Sequence, residues 1–327
     1  MRPESIARKG GKALFHVFLV ALPVFSASKL KIQTTSYAPD SIQAEAIRDS
    51  LRVHVLKLVD VPEPRNYLNV EVQRSVQAYI EKEFAALGLE IRRQVFQVEG
   101  VEYVNIIGVL NPRLPKVAVV GAHYDVCGNQ PGADDNASGV AGLIELARML
   151  APKRDCIPRQ IQFVAYANEE PPHFGTEDMG SFVHAKSLYD GGNEVEYMIS
   201  LEMIGYFTDR EDSQDYPVGI LKWFYPTRGD FIAVVSDLSS GSVRRRVRDA
   251  ISGHSSIPCR SLGAPSALVG VDFSDHRNYW IFGYDAVMVT DTAFLRNKNY
   301  HHISDTIGTL DFAKMAQVVL GVAGAFL

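Results

Sequence analysis

The chain has little cysteine. Cys127, Cys156 and Cys259 are the only three in 327 residues, which excludes a disulfide framework and allows one pair at most. It also lacks a surplus of positive charge. The 33 Lys and Arg face 38 Asp and Glu, a net charge of −5, which argues against a broad basic surface for nucleic acid. There is no internal repeat and no low-complexity segment, so nothing points to a solenoid or a disordered tail. No apolar run approaches the roughly 20 residues needed to span a bilayer. What is present is ordinary globular composition, 46% hydrophobic and 22% charged at a mean hydropathy of −0.03. Nothing resembles a linker, so one domain over residues 29–327 is expected rather than two.

Residues 1–28 differ from the rest. Arg2, Arg8, Lys9 and Lys12 make a basic start, the mostly apolar stretch Ala13–Val24 follows, and Ser26-Ala27-Ser28 supplies small residues. That order predicts an export signal cleaved near residue 28, with retention as an N-terminal anchor through residues 13–24 as the alternative. Removing residues 1–28 leaves 29 basic residues against 37 acidic, a net −8. An acidic protein working outside the cytoplasm, periplasmic or secreted, is expected, with no membrane partner beyond such an anchor.

Residues 29–40 read as an exposed lead-in. Ser41–Leu58 and Val70–Leu87 have helical spacing, the second with Val72, Val76, Ile80 and Phe84 on one side and Gly88 as its stop. Glu90–Val98 and Glu102–Leu110 flank Glu99-Gly100 as a hairpin. Then the pattern changes to short continuous apolar runs, the mark of strands buried on both faces: Val117–Val120, Ile161–Ala165, Tyr197–Leu201 and Ala286–Thr290. A helix over Gly139–Leu150 lies between the first two, and Phe312–Phe326 reads as a closing helix. Alternation of this kind predicts an α/β domain, a mostly parallel mixed sheet with helices on both faces. Phe207–Arg228 carries charge, Pro and aromatics and reads as a surface insertion near the site.

Acidic residues and histidines collect just after those buried runs. His123 and Asp125 stand in GAHYD, Asp134 and Asp135 in GADDNASG, Glu169 and Glu170 in NEEPP, Glu202 in SLEMIGY, and His301, His302 and Asp305 in NYHHISDT. Ligands bind outside the carboxyl ends of strands in open α/β sheets, so four loops deliver carboxylates and imidazoles to one edge. So many carboxylates together resist ionising unless cations neutralise them. Two imidazoles and three carboxylates suit zinc, and one bridging carboxylate would make the set sufficient for two ions. The adjacent Glu169 and Glu170 offer a base and a ligand.

GAHYD, GADDNASGVA, NEEPP, LEMIGY, SDHRNYW and NYHHISDT, in this order, resemble the zinc aminopeptidases of the bacterial leucyl aminopeptidase type. That family also includes glutamate carboxypeptidases and glutaminyl cyclases. The resemblance covers roughly residues 40–327 and implies a single zinc-exopeptidase-like α/β domain with two Zn2+ per chain and peptides as substrates. It implies that His123, Asp135 and Glu202 hold one zinc, and that Asp135, Glu170 and His301 hold the other. Glu169 would be the general base, and Asp125 would orient the ring of His123. The chain departs from the common pattern at Glu202, where many members have Asp.

Singly, these residues have ordinary explanations. An isolated H-x-D is most often a buried histidine with a partner, and Asp134, Asp135 and Asn136 suit the start of a helix. Asp275-His276 reads as structural or pocket-lining, and Tyr206, Tyr279 and Trp280 as pocket candidates. Jointly, the ordered set predicts a metal-dependent exopeptidase, an aminopeptidase before a glutaminyl cyclase or carboxypeptidase. Neither the preferred N-terminal residue nor the oligomeric state is written in the sequence.

Overall fold

A computed structural model describes residues 41–327. The export signal read over residues 1–28 and the lead-in over 29–40 lie outside the described residues. Among the described residues, no helix is long and apolar enough to cross a membrane.

In chain order the elements are α1 (Ser41–Val59), α2 (Val70–Ala86), β1 (Glu90–Val98), β2 (Val101–Leu110), β3 (Lys116–His123), α3 (Gly139–Leu150), β4 (Gln160–Tyr166), α4 (Gly180–Asp190) and β5 (Glu194–Glu202). The second half adds β6 (Ile232–Ser236), α5 (Gly241–His254), β7 (Cys259–Gly263), α6 (His276–Ile281), β8 (Ala286–Thr290) and α7 (Phe312–Ala323). The eight strands form one mixed sheet in the order β1-β2-β4-β3-β5-β8-β6-β7. Its centre, β4-β3-β5-β8, is parallel throughout. On one side the antiparallel β1-β2 hairpin extends it, and on the other β6 runs antiparallel to β8 and parallel to β7.

Side-chain alternation along β3 explains the two-sided core. Ala118, Val120 and Ala122 pack with apolar residues of α1, α2, α3, α5 and α7, while Val117 and Val119 pack with Ala185 and Leu188 of α4 and Tyr279 of α6. A strand covered on both faces needs apolar residues at successive positions, hence the continuous runs rather than alternation.

The helices expected at the N-terminal side, the hairpin, the four buried strands and the closing helix are all present, with no end shifted by more than three residues. β6 and β7 were not foreseen. β7 reads Cys-Arg-Ser-Leu-Gly, has little apolar content, and sits at the sheet edge where one side is unpaired. The insertion over 207–228 is irregular apart from one short 3-10 turn, Gly219–Trp223.

Candidate metal centre and adjoining pocket

Because β4, β3, β5 and β8 are parallel neighbours, their carboxyl ends share one edge of the sheet. His123 is the last residue of β3, Glu202 the last of β5, and Glu169 and Glu170 follow β4 by three and four residues. Asp135 comes from the loop before α3, and His301 from the loop after β8. Six residues from five segments thereby converge.

His123 Nε2 lies 3.5 Å from Asp135 Oδ1, 3.3 Å from Glu202 Oε2 and 3.8 Å from Glu169 Oε2. His301 Nε2 lies 3.2 Å from Asp135 Oδ2 and 3.3 Å from Glu170 Oε2. Asp135 thus turns one oxygen toward each imidazole. The Glu202 side chain reaches the His123 half of the cluster, and Ser274 Oγ donates to its Oε2 at 2.8 Å.

Asp125 holds the floor of the site. Its two oxygens accept the backbone N–H groups of Glu169 and Glu170, each at 3.1 Å, and Oδ1 stands 3.5 Å from His123 Nδ1. One carboxylate therefore sets both the ring of His123 and the main chain of the Glu pair. The loop carrying Asp135 is tied equally closely. Asp305 accepts the N–H groups of Asp134 and Asp135, and Asp134 accepts from Gly205 N and Asn297 Nδ2. Asn136 donates to Leu201 O and accepts from Gly139 N at the start of α3. Gly139 is required there, since a Cβ would stand 2.3 Å from Asn136 Oδ1 and 2.5 Å from Leu201 O.

Arg65, which carried no signal in the sequence, supports the same loop. It is fully buried and donates to four main-chain carbonyls, those of Leu58, Tyr124, Pro131 and Gly132. Burial lowers its pKa to about 10, opposed by the nearby charges of Asp305, Asp125 and Asp135. Arg65→Met strands those carbonyls and removes a cation beneath the acidic cluster. A loss of about 3–5 kcal/mol of stability is expected in denaturant titration. A loss under 1 kcal/mol would mean that the carbonyls find other donors.

Without cations, the centre satisfies its charges by holding protons. Burial pushes Glu170 up to about 8, with the charge of Asp135 adding to the effect. Burial likewise raises Glu169 well above the usual carboxylate range, against the pull of His123. Burial works to lower His301, but Asp135 and Glu170 outweigh it and raise the ring to about 10. Burial also opposes protonation of His123, and Glu202 and Glu169 reverse that.

The donor set fits a metal. His123 Nδ1 and Nε2, Asp135 Oδ2, Glu170 Oε1 and His301 Nε2 are buried atoms with no hydrogen-bond partner. Buried polar atoms are rarely left so. Ligand atoms of His123, Asp135 and Glu170 fall within 4.8 Å of one another, which suits a shared cation.

A cavity of about 810 Å³, counting its open mouth, adjoins the cluster at Glu202 and Tyr300. Its walls come from β6, β7, β8, residues 269–273, the loop after β8 and the insertion over 207–228, and they are mostly apolar: Phe231, Ala233, Val235, Val271, Phe273 and Met288 among them. The insertion contributes Tyr216, Leu221 and Tyr225, consistent with its expected place near the site. Tyr279 and Trp280 are elsewhere. Tyr279 is buried against Tyr166 and His184, and Trp280 Nε1 donates to Ala286 O. His276 is structural, with Nε2 against Val271 O, whereas Asp275 is buried with neither oxygen hydrogen-bonded and is pushed up to about 7 by burial. His302 is exposed.

A mixed α/β sheet with buried imidazoles and carboxylates gathered at the carboxyl ends of its parallel strands defines a metallohydrolase-type site. Residues 105–325 match the family model described as "Peptidase family M28", and the chain belongs to that family. It is 40% identical over 318 residues to the Escherichia coli (strain K12) protein YfbL, covering 94% of this chain and 95% of that one. It is 28% identical over 232 residues to a probable leucine aminopeptidase 1 of Trichophyton verrucosum, covering 66% of this chain and 56% of that longer protein. Two solved structures share the fold. Legionella pneumophila LapA aminopeptidase has a TM-score of 0.68 at 19% identity, covering 87% of this chain and 72% of that one. Bacteroides thetaiotaomicron glutaminyl cyclase has a TM-score of 0.66 at 18% identity, covering 85% and 97%.

Proposed function

We propose that this peptidase is a zinc-dependent aminopeptidase that removes apolar N-terminal residues from peptides, with two zinc ions per chain. The observation that carries the reading is Asp135, whose two oxygens face two separate imidazoles, each with a further carboxylate beside it. His123, Asp135 and Glu202 would hold one ion, and Asp135, Glu170 and His301 the other. Bound zinc would supply an activated water at neutral pH and polarise the scissile carbonyl.

The chain's own groups do the rest. Glu169 is spoken for by neither ligand set, and its Oε2 reaches the shared region at 3.8 Å from His123 Nε2. It accepts the proton of the attacking water and returns it to the leaving amine nitrogen. Asp125 acts through others, since it fixes the His123 ring and the main chain of Glu169. The apolar cavity beside Glu202 receives the N-terminal side chain, and its walls exclude water from it. The basic, apolar and small-residue segments of residues 1–28 support export, so the peptides would be met outside the cytoplasm.

The test is hydrolysis of aminoacyl-arylamides with varied side chains, before and after chelation and zinc return. Leucyl, methionyl and phenylalanyl substrates are expected to be cleaved faster than alanyl or charged ones. Ala233→Leu narrows the cavity and lowers the leucyl-to-alanyl ratio of kcat/KM by roughly tenfold or more. No cleavage by zinc-loaded protein, together with cyclisation of N-terminal Gln, would overturn this in favour of a glutaminyl cyclase.

A further inference from the structure

Cys127 is one of three cysteines, among which one pair at most could form. It is unpaired and only partly buried, four residues beyond His123. Its Sγ belongs to a compact group with Glu170 and His301 whose ligand atoms all lie within 4.8 Å of one another. Glu170 is 4% exposed, yet its Oε1 has no hydrogen-bond partner, and His301 Nε2 has none either. Three candidate donors thus stand together, two of them with an atom that no hydrogen bond occupies.

We infer that Cys127 is an additional, displaceable ligand to the metal ion held by Glu170 and His301. The inference rests on the two-ion reading above. Bonds of about 2.0–2.3 Å place two tetrahedral donors about 3.5 Å apart, and the three ligand atoms here stand within 4.8 Å of one another. Asp135, Glu170 and His301 supply three donors to that ion and leave a fourth position open, as catalysis requires. Cys127 would be a further donor beside that position in the resting protein and would give way to substrate. As a ligand the thiol would give up its proton to solvent, and on release it would take one back. The group that contains His123, with Asp135 and Glu170, has no cysteine. The two subsites therefore differ in chemistry, nitrogen and oxygen in one, nitrogen, oxygen and sulfur in the other, and in their preference among metals.

Full-length protein loaded with Co2+ tests this spectroscopically. Sulfur-to-cobalt charge-transfer absorption in the near ultraviolet is expected, and Cys127→Ser removes it while cobalt remains bound. Wild-type protein gives a second readout that does not depend on the variant folding. Zinc slows alkylation of Cys127 at least tenfold, whereas the exposed Cys156 reacts at one rate with or without the ion. Metal bound with no charge-transfer band, or with Cys127 alkylated equally fast in both states, overturns the inference and leaves the two-ion reading standing. Failure to bind any metal overturns both.

Discussion

Glu169→Gln is expected to lower kcat on the order of a thousandfold while the protein keeps its full zinc content. Gln matches Glu in size and still accepts and donates hydrogen bonds, but it cannot carry a proton from water to the leaving nitrogen. The backbone N–H of residue 169 remains bound to Asp125, so the main chain should not move. Glu170→Gln makes the contrast. Its carboxylate faces His301 Nε2 at 3.3 Å, and its loss should empty one metal position along with the activity. Elemental analysis beside steady-state kinetics separates the two variants. Loss of zinc from Glu169→Gln, or retained activity in it, would sink the assignment of 169 as base and 170 as ligand.

Stripping the metals is expected to abolish activity and to lower Tm by on the order of 8 °C at neutral pH. Ligand present at a thousand times its Kd stabilises by about 4 kcal/mol, and about 2 °C per kcal/mol is typical of a domain this large. The gap should depend on pH in a definite direction. Glu170 is raised by burial and Asp135 to about 8 from 4.5, and Asp275 by burial to about 7 from 3.8. His301, against the opposing effect of burial, is raised by Asp135 and Glu170 to about 10 from 6.5. In every case the folded, metal-free chain holds a proton that the unfolded chain has released. That contribution is fully present below the unfolded values and is lost as pH rises through the folded ones. Metal-free protein should therefore lose stability steadily from about pH 5 to pH 8. Bound cations replace those protons, so the loaded protein should change less and the Tm gap should widen with pH. Calorimetry of both forms at four or five pH values checks this. A gap that narrows over that range would show that the cluster is ionised without metal.

Much of the fold was legible because burial on two faces writes itself into composition. Strands β3, β4, β5 and β8 must be apolar at successive positions, and each appears as such a run. β7 was not legible, since an edge strand needs no such run and its Arg260 is exposed. The candidate site was legible through order: each acidic or imidazole residue follows a buried strand, and parallel strands end on the same edge. Its supports were not. Arg65 lies in a Pro-containing turn with no periodicity, and nothing local says that its guanidinium meets carbonyls at 58, 124, 131 and 132. Ser274 on Glu202 and Asp305 on the main chain of Asp134 and Asp135 are likewise contacts between distant segments.

The sequence by itself determined the class of fold, the family and the residues that gather at the sheet edge. These follow from periodicity and from the order of short motifs, which are properties of the chain read in one dimension. Only the tertiary structure decided that Asp135 divides its oxygens between two imidazoles, that Asp125 serves a histidine and two main-chain amides together, and that an apolar cavity built from β6, β8 and the insertion opens beside Glu202. Distance and direction between segments far apart in the chain arise from packing, and packing depends on all the elements together.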